Sequence, residues 1–294
     1  MSSIFTGVAT ALITPMNEDG SVNLSKIDEI VEEQIDGGVS AIVSCGTTGE
    51  GSTLSSEEHV EVMRHTIKAV NHRIPVIAGT GSNDTAFAVE LSKEAEEMGA
   101  DALLLVSPYY NKASQKGLIE HYTYIADRVN IPIILYNVPS RTGTNISCET
   151  YKILSAHKNI VAVKEANGNI SSVAQTVSLC GDALDIYSGN DDQVIPMISL
   201  GGKGVISVFS NFAPKIMSEI TGLALEGKFK EATALQNKYL DLMNSMFIDV
   251  NPIPVKEAMN LLGYNVGPCR LPLCSTTPEN LEKIKSALKG VNLL

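Results

Sequence analysis

The chain has 294 residues, of which 44% are hydrophobic and 19% are charged, so it carries enough apolar mass to bury a core. Its 22 basic and 33 acidic residues give a net charge of −11, which argues against binding to nucleic acid or to an anionic membrane. Every apolar stretch is far shorter than the roughly 20 residues of a membrane span, and the first residues lack the basic start of a signal peptide.

Eight short apolar segments, taken in chain order, predict eight parallel strands. Each segment is continuously apolar rather than alternating, which is typical of a strand buried on both faces. Their starts lie about 28 residues apart on average, which is the size of a strand followed by a helix. The predicted strands span residues 7–12, 41–44, 75–78, 102–106, 132–135, 160–163, 185–188 and 204–208.

An open doubly wound sheet and a closed barrel are the two ways to arrange eight such units. The open sheet would need a glycine fingerprint for a dinucleotide after its first strand, and the partial match Gly79-Thr80-Gly81 follows the third strand instead. We therefore predict a (β/α)8 TIM barrel over residues 1–224. Helical patterns at 228–247, 254–262 and 278–288 predict that residues 225–294 form a C-terminal helical extension packed on the barrel.

The cysteines and histidines predict a cytoplasmic protein without a metal site. The five cysteines are scattered along the chain, and their odd number favours reduced thiols. Neither they nor the five histidines show the spacing of a zinc site.

Polar residues follow several predicted strands, at the end of a barrel where active sites lie. The glycine-rich segment 46–51 contains Thr47 and Thr48, whose backbone N–H groups suit a carboxylate, although an ordinary glycine turn has the same composition. Tyr136 follows the fifth strand as either a packed ring or a functional hydroxyl. Arg141, in the next loop, is either a surface charge or a ligand for a carboxylate.

Lys164 directly follows the sixth apolar strand. Lysines at such positions usually extend their ammonium group into water. Inside a barrel mouth, however, burial lowers the pKa of the amine, and a neutral amine is a nucleophile towards ketones and aldehydes.

Near the last two predicted strands, Gly189 and Gly202 leave a phosphate-binding site open as an alternative. Asp191 is expected to cap the following helix.

Five segments taken together resemble the dihydrodipicolinate synthase family over essentially the whole chain. They are GTTGE at 46–50, PYY at 108–110, YNVPSRTG at 136–143, KEA at 164–166 and NPIPVK at 251–256. The resemblance implies a Schiff-base, class I aldolase mechanism in which Lys164 forms an imine with pyruvate. The implied reaction condenses pyruvate with L-aspartate 4-semialdehyde, an early step of the diaminopimelate branch of lysine biosynthesis. It implies no cofactor beyond the covalent imine.

The resemblance also implies catalytic roles for three hydroxyl groups. Tyr136 would be the general acid/base beside Lys164, and Thr47 would link it to Tyr110 in a proton relay. In the family, the equivalent of Tyr110 comes from a neighbouring subunit. We therefore expect a homo-oligomer, either a dimer or a dimer of dimers.

The implied substrate contacts come from four places in the chain. The backbone of Thr47 and Thr48 would hold the carboxylate of pyruvate, and Arg141 would hold the carboxylate of the second substrate. Backbone groups of Gly189 and Ile206 would line the pocket. Schiff-base lyases for other keto acids share the lysine and the tyrosine, but Arg141 favours the semialdehyde.

Regulation by lysine is expected to be weak or absent. Inhibited members of the family hold lysine near positions that match His59, Asn83 and Tyr109, all of which are present. Ser56, however, stands where histidine is common, and Phe87 where an acidic residue would pair with the lysine amine.

Two other classes of function stay open. A barrel that only binds a keto acid would not need the relay of hydroxyl groups, and a phosphate enzyme would not need an amine at position 164.

Overall fold

Eight parallel strands close into a barrel in the computed structural model, which describes residues 3–294. Each strand pairs with its neighbours in chain order, and the first strand also pairs with the eighth, so no sheet edge is left open. The predicted TIM barrel is confirmed. The strands are β1 Gly7–Ala11, β2 Ala41–Ser44, β3 Val76–Gly79, β4 Ala102–Val106, β5 Ile133–Asn137, β6 Ile160–Glu165, β7 Asp185–Ser188 and β8 Gly204–Ser207.

Twelve α-helices surround the barrel or extend beyond it in the described part of the chain. They are α1 Leu24–Asp36, α2 Ser56–Val70, α3 Thr85–Glu97, α4 Gln115–Ala126, α5 Pro139–Thr142, α6 Cys148–Leu154, α7 Ile170–Cys180, α8 Val194–Ser199, α9 Pro214–Leu225, α10 Phe229–Ser245, α11 Ile253–Leu261 and α12 Pro278–Gly290. Short 3₁₀ helices cover Gly181–Ala183, Asp191–Gln193 and Phe209–Asn211.

Local sequence signals fix the ends of helices near the barrel mouth. The Ser55 hydroxyl accepts the backbone N–H of Glu58, and the Glu58 carboxylate accepts the N–H of Ser55, so α2 begins at a capping box. The Asp84 side chain accepts the first N–H groups of α3. Gly99, at a φ of +88°, then turns the chain back towards β4.

Apolar side chains fill two layers. The larger cluster lies between the sheet and the helices, and a smaller one fills the barrel interior. Within the barrel, Phe5 stacks on Tyr187 with ring centroids 4.1 Å apart, and the Tyr187 hydroxyl donates to the carbonyl of Phe5. The interior is therefore a packed core, and the space for a ligand lies at the open end of the barrel.

The C-terminal helices lie against the barrel and against one another. Helix α10 packs on α9, and α12 packs on α10 and α11. The Gln236 amide in α10 donates to the carbonyl of Asp192, close to the barrel mouth. The division of the chain at residue 224 stays a prediction; α9 ends at Leu225. Of the helices in residues 3–294, none is both long and apolar enough to cross a membrane.

Candidate active site

Lys164 and Tyr136 face each other across neighbouring strands at the barrel mouth. They are direct partners in the register of β6 and β5, and the Lys164 Nζ lies 4.4 Å from the centroid of the Tyr136 ring. Both residues lie one position beyond the predicted ends of their strands, which continue to Asn137 and Glu165. The apolar runs stop at Leu135 and Val163, but the backbone pairing continues because the mouth of the barrel accepts polar side chains.

Lys164 carries an amine with weakened basicity. Its side chain is almost enclosed, with 5% of the residue exposed. Burial lowers the pKa of Lys164 to about 8; the negative charge of Asp191 opposes this shift, and the positive charge of Arg141 adds to it. No ion pair ties up the amine within the part of the chain that the structure describes. A substantial fraction of this lysine is therefore neutral near pH 8.

Tyr136 and Thr47 form the polar side of the site. Burial raises the pKa of Tyr136, while the positive charge of Arg141 and a hydrogen bond with Thr47 oppose the rise. The phenol therefore keeps its proton at neutral pH and has a hydroxyl neighbour with which to exchange it.

The glycine-rich loop after β2 is tightly packed. A Cβ on Gly51 would lie 2.4 Å from the carbonyl oxygen of Cys45, so only glycine fits there. The Thr48 side chain is buried, and its hydroxyl accepts the side-chain amide of Asn251 at 3.0 Å. These contacts restrain the backbone of this loop, which is predicted to bind a carboxylate.

Three further predicted contacts lie around the same mouth. Arg141, in α5, donates to the carbonyl of Asn251 at 3.1 Å. A Cβ on Gly189 would lie 3.3 Å from the Cε of Lys164, so the glycine leaves room beside the lysine stem. Ile206, in β8, is fully buried in the same interior cluster as Tyr136.

A cavity of about 360 Å³ opens at this end of the barrel. Thr47, Tyr136 and Arg141 line it, while Lys164 lies against Tyr136 and is not itself a lining residue. Thr48, Gly189 and Ile206 are not lining residues either.

The predicted regulatory residues are only partly brought together. His59 and Tyr109 line the same cavity, as do Ser56 and Phe87. The His59 Nε2 donates to the carbonyl of Gly79 at 2.8 Å, and burial lowers the pKa of this imidazole. Asn83 does not line the cavity, and its carbonyl accepts the side-chain amide of Asn111.

Tyr110 points away from the site of its own chain. It is 90% exposed and has a φ of +70°, a conformation that is costly for a residue other than glycine. It does not line the cavity. Within one chain, the structure does not bring Tyr110 to Thr47 and Tyr136.

Asp191 is a residue whose place the sequence analysis predicted wrongly. Its side chain makes no helix-capping bond; it is 2% exposed, and its Oδ2 accepts the backbone N–H groups of Val208 and Phe209. Its Oδ1 accepts no hydrogen bond within normal distance from residues 3–294, and its charge acts on Lys164. An acidic residue just after a barrel strand is a signal for a residue of the site. A helix-capping role, however, explains the same position equally well from the sequence.

Glu165, which follows Lys164 in the KEA segment, had no predicted role. The buried carboxylate accepts the Tyr151 hydroxyl at 2.8 Å and the Asn137 amide at 3.0 Å. Burial raises the pKa of Glu165, and these two hydrogen bonds oppose the rise. They fix the end of β6 directly beside Lys164. Within residues 3–294, no three or more His, Cys, Asp or Glu side chains are grouped so that they could hold a metal ion.

Comparisons with known proteins agree with this geometry. The model of the dihydrodipicolinate synthetase family matches residues 4–291. The 4-hydroxy-tetrahydrodipicolinate synthase of Acetivibrio thermocellus is 53% identical over 291 residues, covering 99% of both chains. A crystal structure of a dihydrodipicolinate synthase superposes with a TM-score of 0.96 at 47% identity, covering 99% of this chain and 100% of the other. A structure described as a monomeric dihydrodipicolinate synthase variant gives 0.95 at 41% identity, covering 99% and 98%.

The match extends over the barrel and the C-terminal helices alike, as the five motifs predicted. The chain belongs to the dihydrodipicolinate synthetase family.

Proposed function

We propose that this chain is a 4-hydroxy-tetrahydrodipicolinate synthase, which condenses pyruvate with L-aspartate 4-semialdehyde through an imine on Lys164. The observation that carries the proposal is the buried amine of Lys164, whose pKa is lowered to about 8 and which lies against the ring of Tyr136. The name of the A. thermocellus relative supports the same reaction. The lysine nitrogen itself supplies the electron sink, so the proposal includes no separate cofactor.

The first step joins the enzyme to pyruvate. The neutral Lys164 amine attacks the ketone carbon, and the ketone oxygen takes one proton from the amine and one from the Tyr136 hydroxyl before it leaves as water, so that Tyr136 becomes a phenolate. The product is a positively charged imine. The backbone N–H groups of Thr47 and Thr48 hold the carboxylate of pyruvate so that its ketone faces the amine.

The second step forms the carbon–carbon bond. The imine draws electrons from the methyl group, whose proton passes to the Tyr136 phenolate, and the methyl carbon becomes an enamine carbon. This carbon attacks the aldehyde of the semialdehyde, whose carboxylate is held by Arg141, and the aldehyde oxygen takes a proton from Tyr136 to become a hydroxyl group. The amine of the second substrate then adds to the imine carbon, closes the ring and releases Lys164. Protons move through Tyr136 and Thr47 without exposing the imine to bulk water.

The relay needs a third hydroxyl, which we assign to a second copy of the chain. Tyr110 is 90% exposed and held in a left-handed conformation, so its side chain is presented outward. The partner subunit's Tyr110 would complete the relay beside Thr47. The proposal therefore includes a homo-oligomer, a dimer or a dimer of dimers, acting in the cytoplasm.

Lysine is proposed to inhibit weakly or not at all. None of the residues that line the cavity beside His59 and Tyr109 is acidic, and Phe87 presents an apolar ring there. A lysine bound at this place would have its side-chain ammonium without a charge partner.

A condensation assay with a selective variant tests the function. The purified protein is given both substrates, and product formation is followed by coupling to a dihydrodipicolinate reductase that consumes NADPH. We expect turnover that requires both substrates. The Arg141→Met variant should raise the half-saturating semialdehyde concentration about 10- to 100-fold, because a charged hydrogen-bonding partner is lost, and it should still form the imine with pyruvate on Lys164. A protein that cleaves another keto acid but does not condense these two substrates would contradict the proposal.

A further inference from the structure

The last residue of the GTTGE segment, Glu50, is held in an unfavourable backbone conformation. Its φ is +53°, in the left-handed region, and it is only 3% exposed. A bulky residue stays in such a conformation only where its surroundings determine it, and such residues cluster at functional sites. Glu50 closes the loop that carries Thr47 and Thr48, so what holds Glu50 also holds the loop.

Lys256, from α11 of the C-terminal extension, holds the Glu50 side chain. Its Nζ donates to Glu50 Oε1 at 2.9 Å, to the carbonyl of Thr14 at 3.1 Å and to the carbonyl of Pro268 at 2.6 Å. The three protons of the ammonium are therefore matched by three acceptors. Lys256 is 2% exposed, so this ion pair is shielded from solvent on both sides.

The C-terminal extension also forms hydrogen bonds with other residues of this loop and with the start of α2. The backbone N–H of Arg270 donates to Glu50 Oε2 at 2.8 Å, and its guanidinium donates to the carbonyl of Thr53 at 3.0 Å and to both carboxylate oxygens of Glu58. At the other end of the loop, the Asn251 amide donates to the Thr48 hydroxyl. Both oxygens of Glu50 and the side chain of Thr48 are thus bonded to residues that follow the barrel in the chain.

A fully buried ion pair is a poor way to gain stability, because removing two charges from water costs about as much as their attraction returns. What such a pair supplies is a fixed geometry, because each charged group must lie within hydrogen-bond distance of its partner and of its other acceptors. We propose that Lys256 is a positioning residue for pyruvate: through Glu50 it sets the backbone of Thr47 and Thr48 that holds the substrate carboxylate. The inference rests on the proposed function and adds a role for the C-terminal extension in it.

Three variants separate positioning from simple stability. They are Lys256→Met, Glu50→Gln and the double variant, and each is assayed by trapping the pyruvate imine with borohydride over a range of pyruvate concentrations, alongside its Tm. Each single variant leaves one buried charge unpaired and should lower the Tm. The double variant has no unpaired charge and should regain most of the lost Tm. Its half-saturating pyruvate concentration should still be raised about tenfold, since the loop is no longer fixed.

The limiting trapping rate at saturating pyruvate should change less than the half-saturating concentration does, because Lys164 and Tyr136 lie on β6 and β5 and only Thr47 of the relay lies on the loop. The matched control is the Glu279→Gln/Lys283→Met double variant, which removes an exposed ion pair of α12 and should change neither quantity. A Glu50/Lys256 double variant that recovers both the Tm and the wild-type pyruvate dependence would overturn the inference. Absence of any adduct in the wild type would instead overturn the proposed function, and the inference with it.

Discussion

The Lys164 ammonium nitrogen lies 4.4 Å from the centre of the Tyr136 ring, directly across the register of two neighbouring barrel strands. A tyrosine face attracts a cation, which favours the protonated lysine. Burial acts in the opposite direction and prevails, since the pKa of Lys164 falls to about 8. The same ring carries a phenol hydroxyl. In the proposed reaction, this pair therefore combines the nucleophile with its proton donor.

The pH dependence of imine formation follows from that pKa. The protonated amine cannot attack a ketone, so the rate of borohydride trapping at subsaturating pyruvate should rise with pH and level off above about 8. An unperturbed lysine would continue to gain reactivity up to a pH beyond 10. Trapping rates measured at a series of pH values give the pH at which the rate is half its maximum. A value near the pKa of free lysine would show that the amine is not buried as described.

Asp191 should raise the pKa of Lys164, because its carboxylate is buried and its charge favours the ammonium form. The Asp191→Asn variant keeps an acceptor for the N–H groups of Val208 and Phe209 but loses the charge. Its trapping midpoint should therefore move to lower pH. Asp192→Asn, at the exposed neighbouring residue, is the control and should leave the midpoint in place. Equal midpoints for the two variants would rule out an electrostatic role for Asp191.

Gly189 should be sensitive to a single added methyl group. A Cβ there would lie 2.7 Å from the Cβ of Ala166 and 3.3 Å from the Cε of Lys164, so the lysine stem or the strand end must shift. We expect Gly189→Ala to slow trapping about tenfold at saturating pyruvate, because a small misplacement of a reacting group is costly. Gly222→Ala, where nothing lies within 4 Å of the added methyl, is the control. Wild-type rates in Gly189→Ala would mean that the space beside Lys164 is not required.

Mixed oligomers test whether Tyr110 acts in a neighbouring chain. Tyr110→Phe alone should lower turnover about 100-fold, as expected for loss of a proton-transfer group, and Lys164→Ala alone should be inactive. Co-expressed in equal amounts, the two chains would form mixed dimers with one intact site each, restoring about one quarter of wild-type activity. Activity no higher than that of the Tyr110→Phe protein would place the tyrosine in its own chain or outside the reaction.

The sequence was most informative where physical signals are local. Continuous apolar runs located all eight strands, and Ser55 and Asp84, whose residue types favour the N-cap position, cap α2 and α3. The ends of β5 and β6 were placed too early, because a polar residue at a barrel mouth looks like the end of an apolar strand. Motif spacing then identified the family, which hydrophobic periodicity alone does not do.

Long-range partners were not predictable from the same signals. Glu50 and Lys256 are 206 residues apart, and neither carries a local mark of being buried. The burial of Asp191 depends on two backbone N–H groups at the end of β8, which no pattern around residue 191 encodes. Whether Tyr110 acts in a neighbouring chain depends on an interface that forms only when two chains associate. Such contacts follow from the closed barrel rather than from neighbouring residues.

The most direct measurement is the site of the covalent adduct. The protein is incubated with pyruvate, reduced with borohydride, digested and examined by mass spectrometry, with the Lys164→Ala variant treated in parallel. We expect one reduced pyruvyl group, on the peptide that contains Lys164, and none on the variant. An adduct on another lysine, or no adduct at all, would show that Lys164 does not form the imine.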